Sequence, residues 1–169
     1  MPISANTARD LLLYMLWADR HALRALRGVQ LEHLTRDAGV SFGSLLGTLV
    51  HTLSSERRWL ARFSGIADPA PLKLEDFPDL LAWIVAWEET AANVEAFLAS
   101  ITDEQLVVPL SWTNSQGERI TRPLWEAILH LVNHATYHRG QVISLLRQMG
   151  YLPPSTDLIA FFHERAVTG

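Results

Sequence analysis

The chain has 169 residues, 49% of them hydrophobic and 19% charged, which fits one folded domain over residues 1–169 and excludes a disordered protein. The formal net charge of -4 lacks the basic field that nucleic-acid binding depends on, so we expect no nucleic-acid partner. Cysteine is absent, which excludes disulfides, a cysteine nucleophile and thiolate metal ligands.

The N-terminal half predicts two long helices. Residues 7–27 and 42–63 each repeat leucine at helical spacing, with Ser41 as the predicted N-cap of the second helix and Gly65 as its stop. The apolar run at residues 11–17 is too short to span a membrane and is not built like a signal peptide. We therefore expect no membrane partner and a cytoplasmic location.

The C-terminal half predicts two more long helices, over residues 78–100 and 123–149. Pro123 takes the first helical position of the fourth helix. A short last helix is predicted over residues 156–165, and β-prone residues 107–112 and 118–121 predict a small hairpin before the fourth helix. The whole pattern indicates an all-α protein, a four-helix bundle.

Three of the seven histidines lie on the fourth predicted helix, at His130, His134 and His138. Residues four apart share a helix face, but the outer two are separated by ~12 Å along the axis and cannot bind one ion together. A metal site therefore needs one adjacent pair and a ligand from another helix. The apolar stripe of this helix borders His134 and His138, which favours that pair.

The third ligand stays open on spacing alone. The candidates are His21, His33, His51, His163 or a carboxylate. His51 is central in the second helix, but it lies opposite the leucine stripe, on a face of small residues. That face is consistent with a pocket and equally with a histidine exposed to solvent.

Several sequence runs resemble the DinB/YfiT-like family, which is named for DNA-damage-inducible proteins. They are HLVNHATYHRGQ at residues 130–141 with LRQMG at 146–150, WADR at 17–20, ERRWLARFSG at 56–65 after His51, and PSTD at 154–157. The resemblance covers nearly the whole chain. It implies an up-down-down-up four-helix bundle, commonly a homodimer. It also implies a divalent metal, zinc or nickel, held by His51, His134 and His138.

Three histidine nitrogens leave a position on the metal open, as in catalytic zinc sites. The resemblance implies a metal-dependent enzyme that performs hydrolysis or thiol transfer on a small molecule, with a low-molecular-weight thiol as cosubstrate because the chain has no cysteine. The alternative is a non-catalytic, stress-linked metal-binding bundle. The sequence identifies no catalytic residue: Glu56 is a general base or the partner of an arginine, and His130 is near the metal or exposed. Tyr137, Arg139 and Gln141 support the ligands or lie at the surface.

Overall fold

In the computed structural model, residues 2–168 are described and most of them are helical. The helices are α1 (Ala5–Leu26), α2 (Leu31–Thr35), α3 (Leu45–Phe63), α4 (Leu80–Ser100), α5 (Asp103–Leu106), α6 (Leu124–Gln148) and α7 (Leu158–Thr168); strands β1 (Pro109–Thr113) and β2 (Arg119–Pro123) form an antiparallel pair. A 3₁₀ turn, Leu74–Asp76, precedes α4.

The four long helices, α1, α3, α4 and α6, form a bundle in which α1 and α3 each pack against both α4 and α6. The core is made of the apolar stripes that the periodicity predicted. Its fully buried members include Leu12, Met15, Leu16, Leu45, Leu46, Leu53, Ile128, Leu131 and Leu146. Burial of a leucine side chain contributes roughly 1.5–3 kcal/mol, so these stripes stabilise the bundle. The predicted four-helix bundle is confirmed.

The predicted N-cap of α3 is wrong by three residues. Ser44, not Ser41, precedes the helix, and its side-chain oxygen accepts a hydrogen bond of 3.0 Å from the Gly47 N–H. Gly39 and Gly43 have φ angles of 64° and 74°, which place the backbone around Ser41 in a tight turn rather than a helix. The helix therefore begins at Leu45, after the turn.

The predicted hairpin is confirmed, with its strands one to two residues later than expected. Asn114 Oδ1 accepts from the main-chain N–H groups of Gln116 and Glu118, which closes the connecting turn. Pro123 pairs with Pro109 at the end of the hairpin and is the N-cap of α6, not its first helical residue. The fixed φ of proline suits both positions.

The last helix is confirmed, although it begins at Leu158 and runs to Thr168. The one-turn helices α2 and α5 were not predicted, because four or five residues carry too little periodicity to show a pattern. None of the helices in the described part of the chain is both long and apolar enough to cross a bilayer.

Candidate metal centre

Three histidines from two helices converge in the bundle. One nitrogen from each of His51 on α3 and His134 and His138 on α6 lies within 4.8 Å of the other two. The Nε2 atoms of His51 and His134 are 3.2 Å apart, and the rings of His134 and His138 are 4.4 Å apart between centroids. The structure thus brings together the three residues that the family resemblance implied.

His51 reaches the centre because its small-residue face is covered by protein. Thr48 is fully buried, and the Phe42 ring lies flat on the His51 imidazole, with centroids 3.7 Å apart and planes 13° from parallel. A Cβ atom on Gly47 would lie 2.1 Å from the Phe42 carbonyl oxygen, so only glycine lets this segment approach α3. Of the two alternatives that spacing left open for His51, the pocket holds: His51 is partly buried and lines a groove.

The environment keeps two of the rings neutral. Burial, and then the nearby His138, lower the pKa of His51 to about 4. Burial and the neighbouring histidines lower the pKa of His134 to about 4 as well. A neutral imidazole has the free lone pair that a metal requires, so at pH 7 no proton competes at these two positions.

A glutamine orients His138. The Nδ1 atom of His138 lies 2.8 Å from Gln141 Oε1, three residues along the same helix. Because an amide oxygen only accepts, Nδ1 carries the proton and Nε2 keeps its lone pair. Gln141, which the sequence placed either beside the ligands or at the surface, thus fixes the tautomer of His138, as a supporting residue does in metal sites. Tyr137 is exposed and contacts the His138 ring edge-on.

The other histidines lie outside this cluster. His130 is one turn before His134 and packs against Trp59, with ring centroids 5.1 Å apart. His21 Nδ1 lies 2.9 Å from a main-chain carbonyl oxygen of its own helix, and His33 Nδ1 lies 2.9 Å from a tyrosine hydroxyl. His163 is exposed on α7. Spacing could not exclude these candidates, because it does not show which helices pack together.

A buried charged cluster lies in the core close to the histidines. Arg139 donates to Asp19 on α1 at 2.8 Å and to the Tyr14 hydroxyl at 3.0 Å. Glu56, only 2% exposed, is held beside this pair, and its Oε1 atom has no hydrogen-bond partner among the described residues. Burial, and then Asp19, raise its pKa well above the usual value. The arginine near Glu56 is Arg139, whose charge opposes the rise in the Glu56 pKa but whose ion pair is formed with Asp19.

An open groove leads away from His51. This His51 groove has a volume of about 360 Å³ and is lined by residues that include Phe42, His51, Arg58, Trp59, Arg62 and Leu72. The Ser54 hydroxyl oxygen accepts from the Leu72 N–H at 3.0 Å and fixes the loop that forms its far wall. A small molecule in this groove can therefore contact the cluster at His51, the member of the cluster that lines it.

The donor set fits a divalent metal ion. A tetrahedral ion with bonds of ~2.0–2.1 Å to nitrogen places its ligand atoms about 3.4 Å apart. The 3.2 Å separation of the His51 and His134 Nε2 atoms matches that spacing, and the third nitrogen lies within 4.8 Å. Three imidazoles without a thiolate suit zinc, nickel and related ions.

These features define a class: a four-helix bundle with a candidate three-histidine metal centre. The family model of the DinB family matches residues 1–166, and the chain belongs to the DinB family. The chain is also similar to Protein DinB of Bacillus subtilis (strain 168), with 28% identity over 157 residues that cover 85% of this chain and 87% of the relative.

Two solved structures share the fold. YfiT from Bacillus subtilis, described as a probable metal-dependent hydrolase with an unusual four-helix bundle topology, has a TM-score of 0.69 at 19% identity, over 89% of this chain and 91% of that chain. A DinB-like protein from Bacillus cereus ATCC 10987 has a TM-score of 0.58 at 20% identity, over 86% of this chain and 94% of that chain. At these identities, the likeness establishes the fold.

Proposed function

We propose that this protein is a metal-dependent enzyme that binds zinc or nickel through His51, His134 and His138 and acts on a small molecule by hydrolysis or thiol transfer. The observation that carries the proposal is the convergence of three histidine nitrogens within 4.8 Å beside an open groove. The description of YfiT as a probable metal-dependent hydrolase supports the same class of function.

A metal at this position would supply a Lewis acid with an open coordination site, able to activate water or to bind a thiolate. The protein's own residues prepare the position. Burial keeps His51 and His134 neutral. Gln141 accepts the Nδ1 proton of His138, which leaves the lone pair of His138 on Nε2. Phe42 covers one face of His51 and restricts the rotation of its ring. These contacts hold the three donors ready for one ion.

The groove favours an enzyme over the alternative, a non-catalytic, stress-linked metal-binding bundle. A storage or structural site has no need of an entrance for a substrate, whereas His51 is part of the wall of a groove large enough for a small ligand. The family resemblance adds three further proposals: a low-molecular-weight thiol as cosubstrate, a homodimer and a cytoplasmic location.

The test is to assay metal-loaded protein, metal-free protein and the His138→Ala variant with two model substrates. One assay follows the hydrolysis of 4-nitrophenyl acetate, and the other follows thiol transfer to 1-chloro-2,4-dinitrobenzene with a panel of low-molecular-weight thiols. We expect a turnover in at least one assay that requires the metal and is lost in His138→Ala. A stoichiometrically loaded protein that gives no metal-dependent rate in either assay would favour the storage alternative.

A further inference from the structure

The His51 groove has a consistently positive lining. Among the residues that line it, the charged side chains are Arg58 and Arg62, and no carboxylate lines it. Arg58 follows His51 by seven residues and Arg62 follows it by eleven. Around the axis of α3, each arginine therefore lies within about 20° of the direction of His51. His51 and the two arginines therefore share one wall of the groove.

The structure already shows a carboxylate bound to this arginine pair. Arg58 Nη2 donates to Asp68 Oδ2 at 3.0 Å, and Arg62 Nε donates to Asp68 Oδ1 at 2.9 Å. The hydrogen bond from Arg62, and then the bond from Arg58, hold the pKa of Asp68 below its usual value against the opposing effect of burial. The pair thus has the planar, forked geometry with which guanidinium groups recognise carboxylates.

Asp68 does not saturate the two arginines. Two guanidinium groups and one carboxylate carry a net charge of +1, so one positive charge at the pair is not neutralised by Asp68. The Arg58 side chain is 38% exposed, while that of Arg62 is 10% exposed and is packed over the Trp59 ring at 4.6 Å. Arg62 is therefore held in place, and Arg58 is the group with remaining capacity at the groove.

We propose that Arg58 binds a carboxylate of the substrate, and that the enzyme acts on carboxylate-bearing small molecules. This inference rests on the proposed function, because it places the reacting end of the substrate at the histidine cluster. Seven residues of helix separate the Cα atoms of His51 and Arg58 by ~10 Å along the axis. The substrate is therefore an extended molecule whose carboxylate lies several bonds from its reacting group.

The test uses glutathione, which carries a thiol and two carboxylates, and its diethyl ester, in which both carboxylates are blocked. Calorimetric titrations of both probes are made with metal-loaded and metal-free protein. They are repeated with Arg58→Gln and with a matched control, Arg57→Gln, the neighbouring arginine of α3, which lines a different surface depression. Arg62 and Asp68 stay paired in both variants, and thermal unfolding checks that both are folded.

We expect the protein to prefer glutathione over its ester by about three- to fivefold, the strength of one partly exposed charge pair. Arg58→Gln should remove this preference and Arg57→Gln should keep it, with and without metal. A preference that survives in Arg58→Gln would overturn the inference. A preference for glutathione that appears only in metal-loaded protein would also overturn it, because the carboxylate would then bind the metal ion rather than Arg58.

Competition separates carboxylate from phosphate as the recognised group. We expect acetate to weaken glutathione binding at least as strongly as inorganic phosphate at equal concentration, and stronger competition by phosphate would overturn the carboxylate assignment. A protein that binds no metal would reject the proposed function, whereas the metal-free titrations would still decide the role of Arg58.

Discussion

The Gly47→Ala substitution tests how the loop before α3 shapes the metal centre. A Cβ atom at this position would meet the Phe42 carbonyl oxygen at 2.1 Å and its carbonyl carbon at 3.2 Å. Both atoms belong to the backbone, so no side chain can rotate away. The segment would have to move by about 1 Å to restore a normal contact, and Phe42 would move with it.

The magnitude follows from two opposing effects. Overpacking costs about 1–3 kcal/mol, while replacing a helical glycine by alanine contributes about 1 kcal/mol to stability. We therefore expect a net loss of up to about 2 kcal/mol in the free energy of unfolding. Metal affinity should fall roughly tenfold, because the ring that lies on His51 is displaced.

Gly140→Ala is the matched control for this measurement. Gly140 is a helical glycine of α6, and a Cβ atom there would meet nothing within 4 Å. We expect this variant to gain about 0.5–1 kcal/mol from helix propensity alone. Urea denaturation of both variants gives the comparison. Equal stabilisation by the two substitutions would refute the close approach of the loop to α3.

Three further predictions concern the residues around the cluster. Gln141→Leu removes the acceptor of the His138 Nδ1 proton, and we expect metal affinity, measured by chelator competition, to fall about 10- to 100-fold without loss of the fold. Asp19→Ala leaves the buried Arg139 guanidinium without its ion-pair partner, and denaturant unfolding should show a loss of about 3–5 kcal/mol; a loss below 1 kcal/mol would contradict the pairing. The raised pKa of Glu56 means that the folded state binds its proton more tightly than the unfolded state, so its contribution to stability falls as the pH rises above about 4.5. Glu56→Gln should flatten that decline in unfolding free energy between pH 5 and 8, and an unchanged slope would contradict a buried, raised pKa.

The parts of the fold that depend on local periodicity could be predicted from the sequence. The leucine stripes predicted the four long helices, and the four-residue spacing of His134 and His138 predicted two of the three histidines in the cluster. Spacing left His51 open, because its small-residue face was consistent with solvent. What covers that face is Phe42, from a turn whose path depends on positive φ angles at Gly39 and Gly43.

The features that the sequence left open are contacts between distant segments. Arg139 follows a candidate ligand and gave no sign of burial in the sequence, yet only 4% of it is exposed. Its partner Asp19 lies 120 positions away on a facing helix, so no local pattern shows the pairing. The partner of Arg58 and Arg62, Asp68, lies in an irregular loop that no periodicity describes. Side-chain pairing across helices and loops is decided by tertiary packing, which hydrophobic pattern alone does not encode.

The most direct test of the central claim is the metal content of purified protein after equilibrium dialysis against zinc and nickel, measured by elemental analysis. Wild type is compared with His51→Ala, His134→Ala and His138→Ala, and with His130→Ala as the control from the same helix face. We predict about one equivalent of metal in wild type and in His130→Ala, and a large loss in each of the other three variants. Full retention of metal by any one of those three, or no metal in wild type, would contradict the three-histidine centre.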